Sequence, residues 1–73
     1  MFFVRWVTRG NEAMPIESED FPMESAQTVV AICLDRLAAM RVKYPDDPPD
    51  GFIVIGASGN EIARWFDRTT HRR

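Results

Sequence analysis

The sequence predicts an α+β domain with the order β-α-β-β, in which one helix packs on a three-stranded sheet closed by a C-terminal β-hairpin. Three observations carry this prediction. Aromatic and β-branched residues alternate at the start of the chain, and a three- and four-residue apolar period runs through its middle. Two short apolar runs near the end flank the turn Gly56-Ala57-Ser58-Gly59. With 73 residues, the chain forms one domain at most.

Phe2 to Thr8 reads as the first strand. Phe2, Val4, Trp6 and Thr8 point one way, and Phe3, Arg5, Val7 and Arg9 the other. Both sides carry bulky apolar groups, so cover is expected on both faces. From Gly10 to Pro22 the residues Gly10, Asn11, Pro15, Ser18 and Pro22 break any regular period, and the stretch reads as a loop. It holds Glu12, Glu17, Glu19 and Asp20 and no basic residue, with Ile16 and Phe21 expected to pin it to the core.

Met23 to Tyr44 reads as the helix, on the recurrence of Ala26, Val30, Cys33, Leu37, Met40 and Tyr44, with Val29 and Leu34 widening the stripe. Val30, Cys33, Leu37 and Met40 are expected to face the sheet, and Gln27, Asp35 and Lys43 to face water. Ser25 or Glu24 caps the start, Arg41 and Lys43 suit the C-terminal dipole, and Pro45 ends the helix. Asp46-Asp47-Pro48-Pro49-Asp50-Gly51 is a stiff turn. Phe52 to Ile55 and Glu61 to Phe66 then form a hairpin, bulged where Gly59 takes positive φ. Residues 1–66 make the domain. Residues 67–73 form a basic tail without an apolar anchor, expected to fray.

This layout resembles the DUF6894-like family of short alphaproteobacterial proteins. Phe2-Phe3-Val4 matches the aromatic opening strand, and Glu19-Asp20-Phe21-Pro22 the step before the helix. Phe52-Ile53-Val54 and Ser58-Gly59-Asn60-Glu61-Ile62 match the closing hairpin. The helix departs from the family in carrying Val29, Val30 and Ile32 where Ala and Glu are usual. The turn departs in carrying Gly56-Ala57 where an acidic pair is usual. The resemblance implies a fold and brings no activity with it.

A net charge of −2 argues against a dedicated nucleic-acid binder, which needs a basic surplus to neutralise phosphates. The single Cys33 permits no internal disulfide. Arg5 interrupts the apolar start, which lacks a signal-peptide cleavage site, and no run approaches a membrane span, so a cytoplasmic protein is expected. The Gly56–Gly59 spacing matches a GxxG loop, but it joins strands where nucleic-acid-gripping loops join helices. Neither acidic group, Glu17/Glu19/Asp20 or Asp46/Asp47/Asp50, has the spacing of a cation loop. His71 lies in the tail without an orienting partner, and Cys33 sits on the apolar stripe. No catalytic, cofactor or metal residues are therefore assigned, and the chain is not expected to be an enzyme.

The remaining signal is aromatic and basic. Phe3, Arg5, Val7, Trp65 and Phe66 form a candidate interface. Arg5, Arg9, Arg64, Arg68, Arg72 and Arg73 are candidate nucleic-acid contacts. The plainest account is a half-covered sheet with core aromatics and snorkelling arginines. A chain this short gains little from one core, and without a disulfide or metal it usually needs association. The expected function is a non-catalytic protein-interaction module, homodimeric through its sheet. The alternatives are a nucleic-acid-binding accessory domain and an accessory subunit of an enzyme.

Overall fold

The opening strand lies inside the sheet. β1 (Phe2–Val7) pairs antiparallel with β2 (Glu17–Phe21) on one side and with β3 (Gly51–Ile55) on the other. β4 (Glu61–Phe66) completes the order β2-β1-β3-β4. α1 (Ala26–Lys43) crosses one face. This computed structural model describes residues 1–22 and 25–67.

The α+β class and the C-terminal hairpin are those the sequence predicts, but the sheet has four strands where three were expected. Residues 17–21, expected within a loop, form the edge strand β2. Their alternation is real but written in polar residues, so hydrophobicity does not display it. The register Phe2↔Phe21, Val4↔Glu19 and Trp6↔Glu17 puts Glu17, Glu19 and Phe21 on the helix side. Phe21 joins the core, while the two glutamates reach basic and hydroxyl groups on the helix. The acidic residues also suit an edge, because a charged edge strand resists pairing with other chains.

Val4, Trp6, Phe52 and Val54 from the sheet meet Val29, Cys33, Leu37 and Met40 from α1. Val29 is fully buried where Val30 was expected; Val30 packs at the edge of the cluster, since the sheet-facing line runs 29-33-37-40 at successive four- and three-residue steps. Gln27, Asp35 and Lys43 are exposed as expected. Ser25 caps the helix by accepting from the Thr28 amide at 3.4 Å. The helix begins at Ala26; Met23 and Glu24, expected at its start, lie outside the described residues. Its last residue is Lys43, and Tyr44 stands at the C-cap ahead of Pro45.

Trp6 and Phe52 meet edge to face with centroids 5.6 Å apart, and Phe52 stacks on Trp65 at 6.0 Å. In the hairpin, Gly59 has φ +91° and its amide donates to the Gly56 carbonyl at 2.9 Å, with the register shift at Val54/Ile55 expected of a bulge. The tail was expected to loosen from Asp67, yet Asp67 is tied. Its amide donates to the Asp50 carbonyl at 2.8 Å, and its carboxylate lies 2.8 Å from Arg41 Nη2. Residues 68–73, and with them Arg68, His71, Arg72 and Arg73, lie outside the described residues.

Candidate functional site

α1 covers one face of the sheet, and the other face carries the residues of interest. β1 contributes Phe3, Arg5 and Val7 to it, β2 Ser18 and Asp20, β3 Ile53 and Ile55, and β4 Arg64 and Phe66. Strict alternation would turn Glu61 away from Arg64, three residues on. The β-bulge opposite Ile55 undoes this, and Arg64 holds both Glu61 carboxylate oxygens through Nε at 2.8 Å and Nη2 at 2.7 Å. Arg64 also reaches Glu12 of the 8–16 connection at 3.1 Å.

The residues expected at an interface do not all meet. Phe3, Arg5, Val7 and Phe66 share the open face, whereas Trp65 lies on the helix face against Phe52. Neighbours on a strand project to opposite sides, so Trp65 and Phe66 cannot serve one surface. Val7 is fully buried and Ile53 is 6% exposed, so the accessible apolar groups are Phe3, Ile55 and Phe66, each half-buried. Asp20, Ile53, Ile55 and Glu61 belong to this surface although they were not singled out from the sequence. The isoleucines alternate within β3, but their place beside Phe3 and Arg5 follows only from the strand register.

Two open hollows mark the face. One of about 330 Å³ lies between Phe3, Arg5, Asp20 and Ile55, and one of about 340 Å³ between Arg5, Glu12, Glu61 and Arg64. Arg64 stays protonated well above its ordinary value because first Glu61 and then Glu12 accept from it, while Arg64 holds Glu61 below the usual carboxylate range. Arg9 sits over the Phe66 ring at 5.0 Å and donates to the Asp67 carbonyl at 3.3 Å. Among the described residues, neither Arg5 nor Asp20 takes part in an ion pair, and both are exposed. Around the open face Arg5, Arg9 and Arg64 are matched by Glu12, Asp20 and Glu61, so it has no basic surplus.

A second polar group lies on the helix side. Glu17 accepts from Lys43 Nζ at 2.9 Å and from the Tyr44 hydroxyl, and Glu19 accepts from Trp6 Nε1 at 3.0 Å and from Arg36 Nη1 at 2.9 Å. Tyr44 and then Lys43 hold Glu17 below its ordinary value. The Lys43, Tyr44 and Arg36 contacts fasten β2 to the helix and its C-cap, and the Trp6 contact ties it to β1. Cys33 is buried at their side, where desolvation pushes its thiol up to about 12, far from a reactive thiolate. No group of three or more His, Cys, Asp and Glu among the described residues is placed to hold a metal ion, and no helix among them is long and apolar enough to cross a membrane. No family model, curated protein or solved structure matched the chain.

Proposed function

We propose that the chain is a small non-catalytic interaction module of the cytoplasm that associates with a second copy of itself through the open face of its sheet. The supporting observation is that α1 covers one face while Phe3, Ile55 and Phe66 remain accessible on the other. Half-buried apolar groups interleaved with arginines and carboxylates suit a protein surface better than a phosphate backbone, since Arg64 already meets Glu12 and Glu61 and Arg9 already meets a backbone carbonyl. Four strands at ~4.8 Å spacing, each of five or six residues at ~3.4 Å, make a face roughly 19 Å by 19 Å, about 360 Å². That is small beside the ~800 Å² each partner gives a standard interface, so association in the micromolar range is expected.

Light scattering over a concentration series tests this. The mass should rise from 8.4 kDa toward twice that value at high micromolar concentration. A constant mass of one chain would overturn the proposal, and salt-sensitive binding of labelled nucleic acid by the same sample would put the nucleic-acid reading in its place. We also propose, on layout alone, that the chain is kin to the DUF6894-like proteins: opening strand, Phe21-Pro22 step, helix and hairpin follow in that order. A member of that family with a strand order other than β2-β1-β3-β4 would remove this second proposal.

A further inference from the structure

Two cross-strand rows span the open face. One runs Arg64, Ile53, Arg5, Ser18 across β4, β3, β1 and β2, and the next runs Glu61, Ile55, Phe3, Asp20 across the same strands. Column by column the rows are complementary: a cation beside an anion, an isoleucine beside an isoleucine, a guanidinium beside an aromatic ring, a hydroxyl beside a carboxylate. We infer that the open face is self-complementary about a two-fold axis that lies in the interface, perpendicular to the strands and between these two rows. The partner is a second copy of this chain.

This inference rests on the self-association proposed above and adds the arrangement. Rotation about that axis lays each row over the other row of the second copy. Arg64 then faces the partner's Glu61, Ile53 the partner's Ile55, Arg5 the partner's Phe3 and Ser18 the partner's Asp20. Each contact occurs twice, as a two-fold interface requires. Arg5, which has no acidic partner among the described residues, comes beside the partner's Asp20, which likewise has no cation. A cation over an aromatic ring and a newly paired charge both favour this alignment. The competing axis, parallel to the strands between β1 and β3, would lay Asp20 over the partner's Glu61. Like charges in register oppose it.

Charge-swap complementation tests the arrangement. Arg5→Glu alone sets Glu against the partner's Asp20 twice, and Asp20→Arg alone sets two arginines together. Each variant should remain folded by far-ultraviolet circular dichroism, because both positions are exposed, and each should dimerise at least tenfold more weakly than the parent. An equimolar mixture of the two restores opposite charges at both contacts, so a heterodimer near parental affinity is expected in sedimentation equilibrium. Should a reversal unfold the chain, Arg5→Ala and Asp20→Ala replace it: each should weaken dimerisation, and their mixture should recover part of it. The heterodimer restores one of the two Arg5–Asp20 contacts, so no recovery at all would overturn the arrangement. A parent that dimerises while both reversals still do so would overturn the arrangement and leave self-association through another surface, such as the edge of β4. Reversals that are monomeric but fail to rescue each other would overturn it as well. A parent that stays monomeric throughout would overturn the self-association on which it rests.

Discussion

At Gly51 the need for glycine comes from a close approach between strands. A Cβ there would run into the Trp65 carbonyl oxygen and stand 2.8 Å from Phe66 Cα, both of them backbone atoms of β4 that cannot rotate away. Gly51→Ala should therefore cost about 1–3 kcal/mol or more by prising the hairpin apart. Gly56 offers the control, since a Cβ there meets side-chain atoms and no backbone, the flexible Ile62 at 3.1 Å and Asn60 Oδ1 at 3.4 Å. Thermal melts of the two alanine variants should differ clearly, and equal melting points would refute the close-approach account. Leu37, 6% exposed in the centre of the helix-to-sheet contact, should lose about 2–5 kcal/mol on change to alanine. Marginal stability is general in proteins, and a loss of that size would unfold much of a domain this small. A variant that melts like the parent would show that the 29-33-37-40 line does not carry the core.

Among the elements, β2 depends most on contacts made with side chains far along the chain. As an edge strand it pairs on one side only, with β1, and the Glu17 and Glu19 links to Lys43, Tyr44 and Arg36 supplement those hydrogen bonds. Tyr44, and after it Lys43, lowers Glu17 from 4.5, so its contribution is fully present above that pH and is lost as pH falls through the lowered folded value. Tyr44 and Lys43 are raised from 10.0 and 10.5, chiefly by the same carboxylate. Their contributions are present below those values and are lost as pH rises through the raised ones. The link between β2 and the helix therefore holds across the neutral range and weakens at both ends. Glu17→Gln should flatten the acid side of the stability-against-pH curve and speed hydrogen exchange in β2. Urea melts with the same acid slope as the parent would count against this role.

For the whole molecule, the decisive feature is a sheet with one face under the helix and the other face accessible at Phe3, Ile55 and Phe66. If two copies close on that face, unfolding is coupled to dissociation and apparent stability follows protein concentration. The melting temperature should rise over a hundredfold concentration range. Arg5→Glu, which leaves the helix face untouched, should abolish the rise without lowering the dilute-limit value. A melting point independent of concentration in the parent would argue for a monomer whose open face is simply solvated. The balanced charges of that face speak for selectivity toward a matching surface over a general attraction to polyanions.

Local chemistry made much of this fold legible. The alternation of Phe2 to Thr8, the Cys33-Leu37-Met40 line, Pro45 beyond the helix and Gly59 in the hairpin are each read over a few residues, and each stands where the sequence predicts it. The separation of Trp65 from Phe66 was legible too, because it needs only the two-residue period of a strand; grouping them in one interface overlooked that period. What the sequence by itself determined was therefore the class and the order of the predicted elements. The tertiary structure alone decided that residues 17–21 are a strand, that Gly51 must be glycine, and which rows line up on the open face. The reason is the distance over which those features are set. Glu17 finds Lys43 26 residues away and Arg64 finds Glu12 52 residues away. A polar edge strand shows no local hydrophobic period, and register between strands exists only once they are paired.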